Sequence, residues 1–155
     1  MKIFILIPVY NDWQSVFKLM DEINNLSIES EVQISIIIVN DASNFDREDK
    51  AINLENIQSI KILNMKFNQG HARCIATGLK HIFEKEEFDY VIPMDGDGED
   101  RPEEIKDFIN QLKRSPDKTI VGERVKLLNN FNTASRTQGP LQPGFEVELV
   151  SLKAT

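Results

Sequence analysis

Four carboxylates stand close together in the run Asp95-Gly-Asp97-Gly-Glu99-Asp100. Carboxylate oxygens are the ligands that hard cations such as Mg²⁺ and Mn²⁺ prefer, and the glycines between them allow the backbone to turn. Such cations often bind one or two protein carboxylates and complete their coordination with the phosphates of a substrate. An acidic turn at the start of the next helix is the alternative, because Asp and Glu are favourable in a first helical turn. The run alone is compatible with both.

The charge of the whole chain restricts the ligand. The 155 residues carry a formal net charge of −7 at pH 7. This acidity argues against a nucleic-acid partner, whose phosphates need clustered Lys and Arg. A nucleotide would also be repelled, unless a cation lay between it and the acidic run. A metal ion is therefore a requirement of any nucleotide hypothesis.

Composition predicts a soluble globular domain. Hydrophobic residues make up 41% of the chain and charged residues 28%, and the length allows a sizeable core. Cys74 is the single cysteine, so no disulfide can form within the chain, and we interpret it as a small buried hydrophobe. No run approaches the roughly 18 apolar residues of a transmembrane segment. We expect a cytoplasmic protein, with a position at the inner face of a membrane left open.

Strands and helices alternate along most of the chain. Apolar or β-branched runs predict strands over 2–8, 34–39, 59–63, 90–94 and 119–121. Helical patterns begin after Asp12, which is a good N-cap, at 46–53, near Ala72 and at Pro102. Such alternation predicts an α/β fold with a mainly parallel sheet and helices on both faces.

The polar residues are concentrated where this fold binds ligands. Three of the predicted strands are followed by loops rich in Asp and Asn, over 8–12, 40–44 and 95–100. In open parallel sheets the ligand lies beyond the carboxyl ends of the strands. The three loops therefore favour a binding site over an isolated acidic turn.

The character of the sequence changes after residue 125. Turn formers dominate this stretch, including Gly139-Pro140 and Pro143-Gly144, which argue against regular structure. We predict a domain over 1–125 and an irregular C-terminal tail over 126–155.

Three motifs together resemble a known family. Ile7-Pro-Val-Tyr-Asn-Asp12, Ile38-Val-Asn-Asp-Ala-Ser43 and Met94-Asp-Gly-Asp97 are similar to the nucleotide-sugar-binding half of GT-A (Rossmann-like) inverting glycosyltransferases of the large family-2 type. The branch that these motifs resemble most contains the dolichol- and polyprenol-phosphate sugar synthases. Asn68-Gln-Gly70 resembles the middle segment of that family, and the resemblance covers residues 2–125.

The resemblance implies roles for residues of the first two loops. Pro8, Val9 and Tyr10 would line the base pocket, and Asp12 stands where the family usually has Glu. Asp41 would contact the base or ribose, while an ordinary turn and cap is its structural alternative.

The acidic run also receives implied roles. Asp95 and Gly96 would lie on the donor side, and Asp97 and Glu99 would bind the metal, Mg²⁺ or Mn²⁺. Arg124 resembles a donor-phosphate contact, with a solvated surface arginine as its alternative.

The resemblance implies a chemistry as well. It would be metal-assisted transfer of a sugar, with inversion, from a UDP- or GDP-sugar to a polyprenyl phosphate or a cell-envelope glycan. A lipid phosphate is already ionised and needs no general base. The alternatives are a catalytically inactive nucleotide- or metal-binding fragment and, less favoured, a flavodoxin- or receiver-like domain that binds Mg²⁺.

The sequence departs from the family near Lys126. The acceptor half that normally follows is not recognisable, so no catalytic base can be assigned. A truncated gene, a frameshifted reading and a deliberately shortened chain would all give this pattern. Donor binding is therefore better supported than transfer, and we expect little or no turnover.

Overall fold

The computed structural model describes residues 1–45 and 54–120. The described part contains four strands and three α-helices, the last preceded by a 3₁₀ turn. The elements are β1 (Lys2–Val9), α1 (Trp13–Asn24), β2 (Gln33–Asn40), β3 (Ile57–Asn64), α2 (His71–Lys85), β4 (Tyr90–Pro93), the 3₁₀ turn (Pro102–Glu104) and α3 (Ile105–Arg114).

The four strands form a parallel sheet in the order β3-β2-β1-β4. The central strand β1 pairs on both sides, with Ile3 opposite Ile34 of β2 and Tyr90 of β4. Strands in this position are covered on both faces, which is why β1 and β2 are apolar almost throughout. The predicted parallel α/β fold is confirmed.

Helices cover both faces of the sheet. α1 and α3 pack with the side chains of Ile3, Ile5 and Ile7 in one hydrophobic cluster. α2 packs through Cys74 and Ile82 in a second cluster that contains alternate residues of the same strand, such as Phe4 and Leu6. The period of two along a strand sends these two sets to opposite faces.

The strand order changes direction at β1. The chain runs from β1 outward to β2 and β3, and then returns through α2 to place β4 on the other side of β1. This reversal is the topological switch point of an open parallel sheet, where ligands bind in the crevice beyond the strand ends. The switch point lies between the loops that follow β1 and β4.

The start of α1 follows the prediction. The Asp12 side chain accepts a hydrogen bond from the Ser15 N–H at 3.2 Å and caps the helix. Trp13 is buried and packs on Phe17, with ring centroids 6.2 Å apart. In the described part of the chain, no helix is long and apolar enough to cross a membrane.

Some predicted elements are absent or cannot be compared. Thr119 and Ile120 of the predicted fifth strand are described and are not in a strand, so that prediction is wrong for them. A run this short has too few residues for its periodicity to distinguish a strand from an irregular segment. Val121, the predicted helix over 46–53 and the tail over 126–155 lie outside the described residues.

Candidate functional site

Four segments meet at the carboxyl edge of the sheet, and we call them the edge loops. They are residues 8–12 after β1, 40–45 after β2, 64–71 between β3 and α2, and 94–100 after β4. The loops after β1 and β2 begin side by side because Val9 pairs with Asn40. Each of the four loops contacts a neighbouring loop, so together they form a continuous rim.

The loops after β1 and β2 are joined through Asn11. Its backbone N–H donates to Ser43 Oγ at 2.9 Å, and its Oδ1 accepts from the Asn44 N–H at 2.7 Å. Asn44 Nδ2 in turn donates to the Tyr10 hydroxyl at 3.2 Å. Ser43 is also bonded within its own loop, since its N–H donates to Asn40 Oδ1 at 3.0 Å. Side-chain hydrogen bonds thus fix the relative position of the two loops.

Asp41 joins the loop after β2 to the start of α2. Its two carboxylate oxygens accept the backbone N–H groups of Gln69 at 2.7 Å and Gly70 at 2.8 Å. Only 4% of Asp41 is exposed, and Gly70 has a φ of 88° that favours glycine. The observed contact is therefore structural, and the expected contact of Asp41 with a base or ribose stays a prediction.

The start of α2 faces the acidic loop after β4. His71 Nε2 lies 3.4 Å from Asp95 Oδ1, and about half of each side chain is exposed. The N-terminus of a helix is the positive end of its dipole and attracts anions. The rim therefore places a positive helix end beside a set of carboxylates.

The carboxylates of the acidic loop influence one another. Partial burial raises the pKa of Asp95, His71 opposes the rise, and the negative charges of Asp100, Asp97 and Glu99 add to it. Like charges held this close favour a bound cation, which relieves their repulsion.

Two hydrogen bonds shape the acidic loop from within. The Asp95 N–H donates to Asp100 Oδ2 at 2.8 Å, which closes the loop, and the Glu99 N–H donates to Asp97 Oδ1 at 2.9 Å. Neither bond exhausts its carboxylate, because an ionised carboxylate has about four acceptor positions. Asp97 therefore keeps acceptor positions for another ligand.

The donor set fits a metal ion only in part. Among the described residues, no group of three or more His, Cys, Asp or Glu side chains is arranged to hold a metal. Mg²⁺ needs no such cage where one or two carboxylates and substrate phosphates supply its ligands. Asp97 and Glu99, both exposed, fit a site of that shared kind.

Gly96 holds the acidic loop against α1. A Cβ atom at this position would lie 2.8 Å from Val16 Cγ2 and 3.4 Å from Ile7 Cγ2. The loop can approach β1 and α1 this closely because Gly96 has no side chain. The assignment of Gly96 to the donor side stays a prediction, and packing is the role that the contacts support.

The other predicted site residues occupy different environments. Tyr10 is 46% exposed at the rim, and Pro8 is half-buried. Val9 belongs to the hydrophobic core, and its carbonyl accepts the Asp41 N–H at 2.8 Å. Asp12 is exposed, with its cap to Ser15, and Arg124 lies outside the described residues.

Cys74 lies beneath the rim on α2. The side chain is fully buried, as its interpretation as a small hydrophobe predicts. Burial raises the pKa of the thiol to about 11, and the neighbouring Asp41 carboxylate adds to the rise. A thiol in this state stays protonated at neutral pH and is a poor nucleophile.

A cleft of about 530 Å³ lies on the other side of the acidic loop, against α1 and the 3₁₀ turn. Lys18 and Glu22 of α1 line it, together with Asp97, Asp100 and Glu104. Tyr10, Asp41 and Asp95 are not among its lining residues. Of the four edge loops, the acidic loop alone lines the cleft, through Asp97, Gly98 and Asp100.

The sequence did not reveal several residues of the rim. In the sequence, Asn11 and Ser43 are recognisable only as members of polar turns and of the quoted motifs. Asn44 is recognisable only as part of a polar turn, and Asp100 only as part of the acidic run. The hydrogen-bond partners of Asn11 lie 32 and 33 residues away in the sequence, and the partner of Asp100 lies five residues away. The available signal was the abundance of Asn and Asp after the strands, which predicts a polar edge and no specific pairing.

The sequence matches the protein family described as glycosyl transferase family 2 over residues 4–152. The match continues beyond residue 125, where the recognisable motifs end.

Two curated proteins are similar to the chain. The undecaprenyl-phosphate 4-deoxy-4-formamido-L-arabinose transferase of Proteus mirabilis is 29% identical over 126 residues, which cover 79% of this chain and 36% of that protein. An uncharacterised protein of Methanocaldococcus jannaschii is 24% identical over 123 residues, covering 77% of this chain and 50% of that protein. The chain thus spans half or less of the length of these relatives.

Solved structures share the fold. S. aureus TarS 1–349 superposes with a TM-score of 0.61 at 20% identity, covering 82% of this chain and 39% of that one. Its complex with UDP also has a TM-score of 0.61 at 20% identity, covering 87% and 38%. At this identity the similarity establishes the fold alone.

Proposed function

Because the chain belongs to glycosyl transferase family 2, as its match over residues 4–152 shows, we propose that its carboxyl edge binds a nucleotide-diphosphate sugar for transfer of the sugar. The observation that carries this proposal is the rim of four edge loops at the switch point. It joins the polar loops after β1 and β2, the positive end of α2 and an acidic loop. A nucleotide-diphosphate sugar offers a base to the polar loops and a diphosphate to the helix end, and the diphosphate would share a cation with the acidic loop.

The first loops suit the nucleoside end of the donor. Tyr10 offers an exposed aromatic ring whose hydroxyl is held by Asn44 at 3.2 Å, so the ring is oriented before a base arrives. Aromatic faces bind bases by stacking. Asp41, by bonding to Gln69 and Gly70, sets the position of the loop on the opposite side.

The diphosphate belongs beside the start of α2. The helix N-terminus attracts phosphate oxygens through the positive end of its dipole. The acidic loop lies directly opposite, with 3.4 Å between His71 and Asp95. With a net charge of −7, the protein needs a cation there to accept two phosphates.

Asp97 and Glu99 are the residues that would hold Mg²⁺ or Mn²⁺, with the diphosphate completing the coordination. A divalent cation in this place supplies the positive charge that stabilises a nucleoside diphosphate as it leaves. Asp100 and Gly96 hold the acidic loop in shape through the bond to the Asp95 N–H and the contact with Val16.

Attack on the anomeric carbon from the face opposite the diphosphate would invert its configuration. The acceptor that we propose is a polyprenyl phosphate, because the Proteus mirabilis relative is named as an undecaprenyl-phosphate sugar transferase. An acceptor phosphate is ionised at neutral pH and needs no general base. We place the reaction in the cytoplasm, at the inner face of a membrane where such an acceptor would be found.

A thermal-shift panel tests the binding proposal. UDP and GDP are added with Mn²⁺, with Mg²⁺ or with EDTA. One nucleotide should raise the melting temperature by roughly 4 °C or more at a hundredfold excess over its Kd, and only with metal. Asp97→Ala should abolish this shift while leaving the fold of the unliganded protein intact.

Glu103→Ala is the matched control, since it removes an exposed carboxylate six residues away, outside the acidic loop. It should leave the nucleotide shift intact. If neither nucleotide stabilises the protein in the presence of metal, or if both variants lose the shift equally, the proposed donor site is wrong.

Transfer is tested separately from binding. The chain is incubated with UDP- and GDP-sugars, Mn²⁺ and a short polyprenyl phosphate, and the release of nucleotide is followed. Metal-dependent glycolipid formation supports the proposed enzyme. Binding without any transfer would limit the function of this chain to holding the donor.

A further inference from the structure

Asn11 makes hydrogen bonds with both its backbone and its side chain to the same neighbouring loop. The N–H donates to Ser43 Oγ at 2.9 Å and Oδ1 accepts from the Asn44 N–H at 2.7 Å. Together with the bond from Asn44 Nδ2 to the Tyr10 hydroxyl, they connect residues 8–12 with residues 40–45. Asn11 was not among the residues that the sequence assigned to the site.

The backbone at this junction is in an unfavourable conformation. Asn11 has a φ of 60° and Ala42 a φ of 55°, and they are the non-glycine residues with positive φ in the described ranges 1–45 and 54–120. This region costs an ordinary L-residue about 1–2 kcal/mol, and Asn tolerates it better than Ala. Hydrogen bonds to neighbouring residues must therefore stabilise this backbone conformation in the two loops. Asp41 and Ser43, on either side of Ala42, are both bonded to the loop after β1.

The bonds of Asn11 also affect Tyr10, a residue of the proposed nucleotide site. Asn44, whose N–H is bound by Asn11, donates its side-chain Nδ2 to the Tyr10 hydroxyl at 3.2 Å. Tyr10 is also the chain neighbour of Asn11. Movement of Asn11 would change the backbone on which Tyr10 sits and the partner that orients its ring.

We propose that Asn11 is a positioning residue for nucleotide binding, which fixes Tyr10 and the loop after β2 relative to each other before the ligand arrives. The inference rests on the proposed function. Loops that are ordered in advance lose less conformational entropy on binding, so the benefit appears as affinity.

Two substitutions at Asn11 separate the side-chain bond from the backbone conformation. Asn11→Gly accepts a positive φ without strain and removes the Oδ1 acceptor, whereas Asn11→Asp keeps an acceptor and tolerates positive φ. The affinity of the full chain for UDP and GDP with Mn²⁺ is measured by calorimetry, alongside the melting temperature. Two salt concentrations separate the added charge of N11D from the loss of the bond.

We expect N11G to weaken nucleotide binding by roughly fivefold or more, as the loss of one ordering hydrogen bond allows. N11D should stay within about threefold of the wild type at the higher salt concentration. Ser43→Ala, which removes the acceptor for the Asn11 N–H, should weaken binding in the same direction. It supplies a second test if N11G folds poorly.

Unchanged affinity in N11G and S43A, whatever their melting temperatures, would overturn the inference and leave the proposed function standing. Equal losses in N11D and N11G would also overturn it, because the acceptor would then not be the group that matters. A wild-type chain that binds neither nucleotide with Mn²⁺ would contradict the proposed function itself, and the inference with it.

Discussion

At the scale of single residues, the side chains of the edge loops divide into those that hold the rim together and those that are exposed to solvent. Asp41 belongs to the first group, since both its oxygens accept backbone N–H bonds and only 4% of it is exposed. Tyr10, Asp97 and Glu99 are exposed and belong to the second. Polarity alone does not distinguish the groups, because an Asp after a strand serves either purpose.

Asp41→Ala should lower the free energy of unfolding by about 2–4 kcal/mol. Two partly buried N–H groups lose their acceptor, and each costs about 1–3 kcal/mol when left unpaired. The loss of stability in Asp41→Asn should lie between zero and the loss in Asp41→Ala, because an amide has one acceptor oxygen. Urea denaturation gives both values.

Asp12→Ala is the comparison for this prediction. It removes an exposed carboxylate that accepts one helix N–H, and a lost cap of this kind costs about 1 kcal/mol. A loss in Asp41→Ala no larger than that in Asp12→Ala would show that the bonds to Gln69 and Gly70 contribute little.

At the scale of elements, the sequence predicted what periodicity and burial determine. Ile34–Val39 is apolar except for Ser35 because β2 is covered on both faces, and the pattern therefore predicted the strand, the parallel sheet and the helices around it. The convergence of the loops followed from the topology. Thr119 and Ile120 were predicted wrongly because so short a run carries no periodicity.

The pairings within the rim could not be predicted in the same way. Asp41 lies 28 residues from Gln69, and Asn11 lies 32 residues from Ser43. Hydrogen bonds between distant loops depend on the geometry of each turn, which residue type restricts only loosely. The sequence therefore predicted a polar edge of the sheet and left the roles of its Asp and Asn residues open.

Gly78 determines how closely α2 approaches the sheet. A Cβ atom there would lie 2.2 Å from Leu6 Cδ1, and Leu6 is fully buried. Gly78→Ala should therefore destabilise the protein by about 1–3 kcal/mol through overpacking, although alanine favours a helix by up to about 1 kcal/mol. Thermal or urea unfolding measures the change.

The partner substitution Leu6→Val checks the cause. It makes room beside Gly78, so the double variant should lose less stability than the sum of the two single variants. Additive losses, or a Gly78→Ala variant that is more stable than the wild type, would show that this contact does not limit the approach of α2.

At the scale of the whole molecule, the proposed function requires an acidic protein to bind an anionic donor. The net charge of −7 opposes that binding, while the start of α2 and a cation at the acidic loop would favour it. The central claim is that nucleotide and metal bind together at the carboxyl edge of the sheet. The cleft between α1 and the acidic loop is a second location for a ligand, and the claim excludes it as the nucleotide site.

Amide hydrogen exchange with and without UDP and Mn²⁺ tests this claim most directly, with UDP plus EDTA as the control and GDP in place of UDP if UDP gives no protection. We predict slower exchange in the edge loops, over 8–12, 40–45, 64–71 and 94–100, and only when nucleotide and Mn²⁺ are both present. Protection confined to α1 and residues 102–107, or no protection with either nucleotide, would contradict the account.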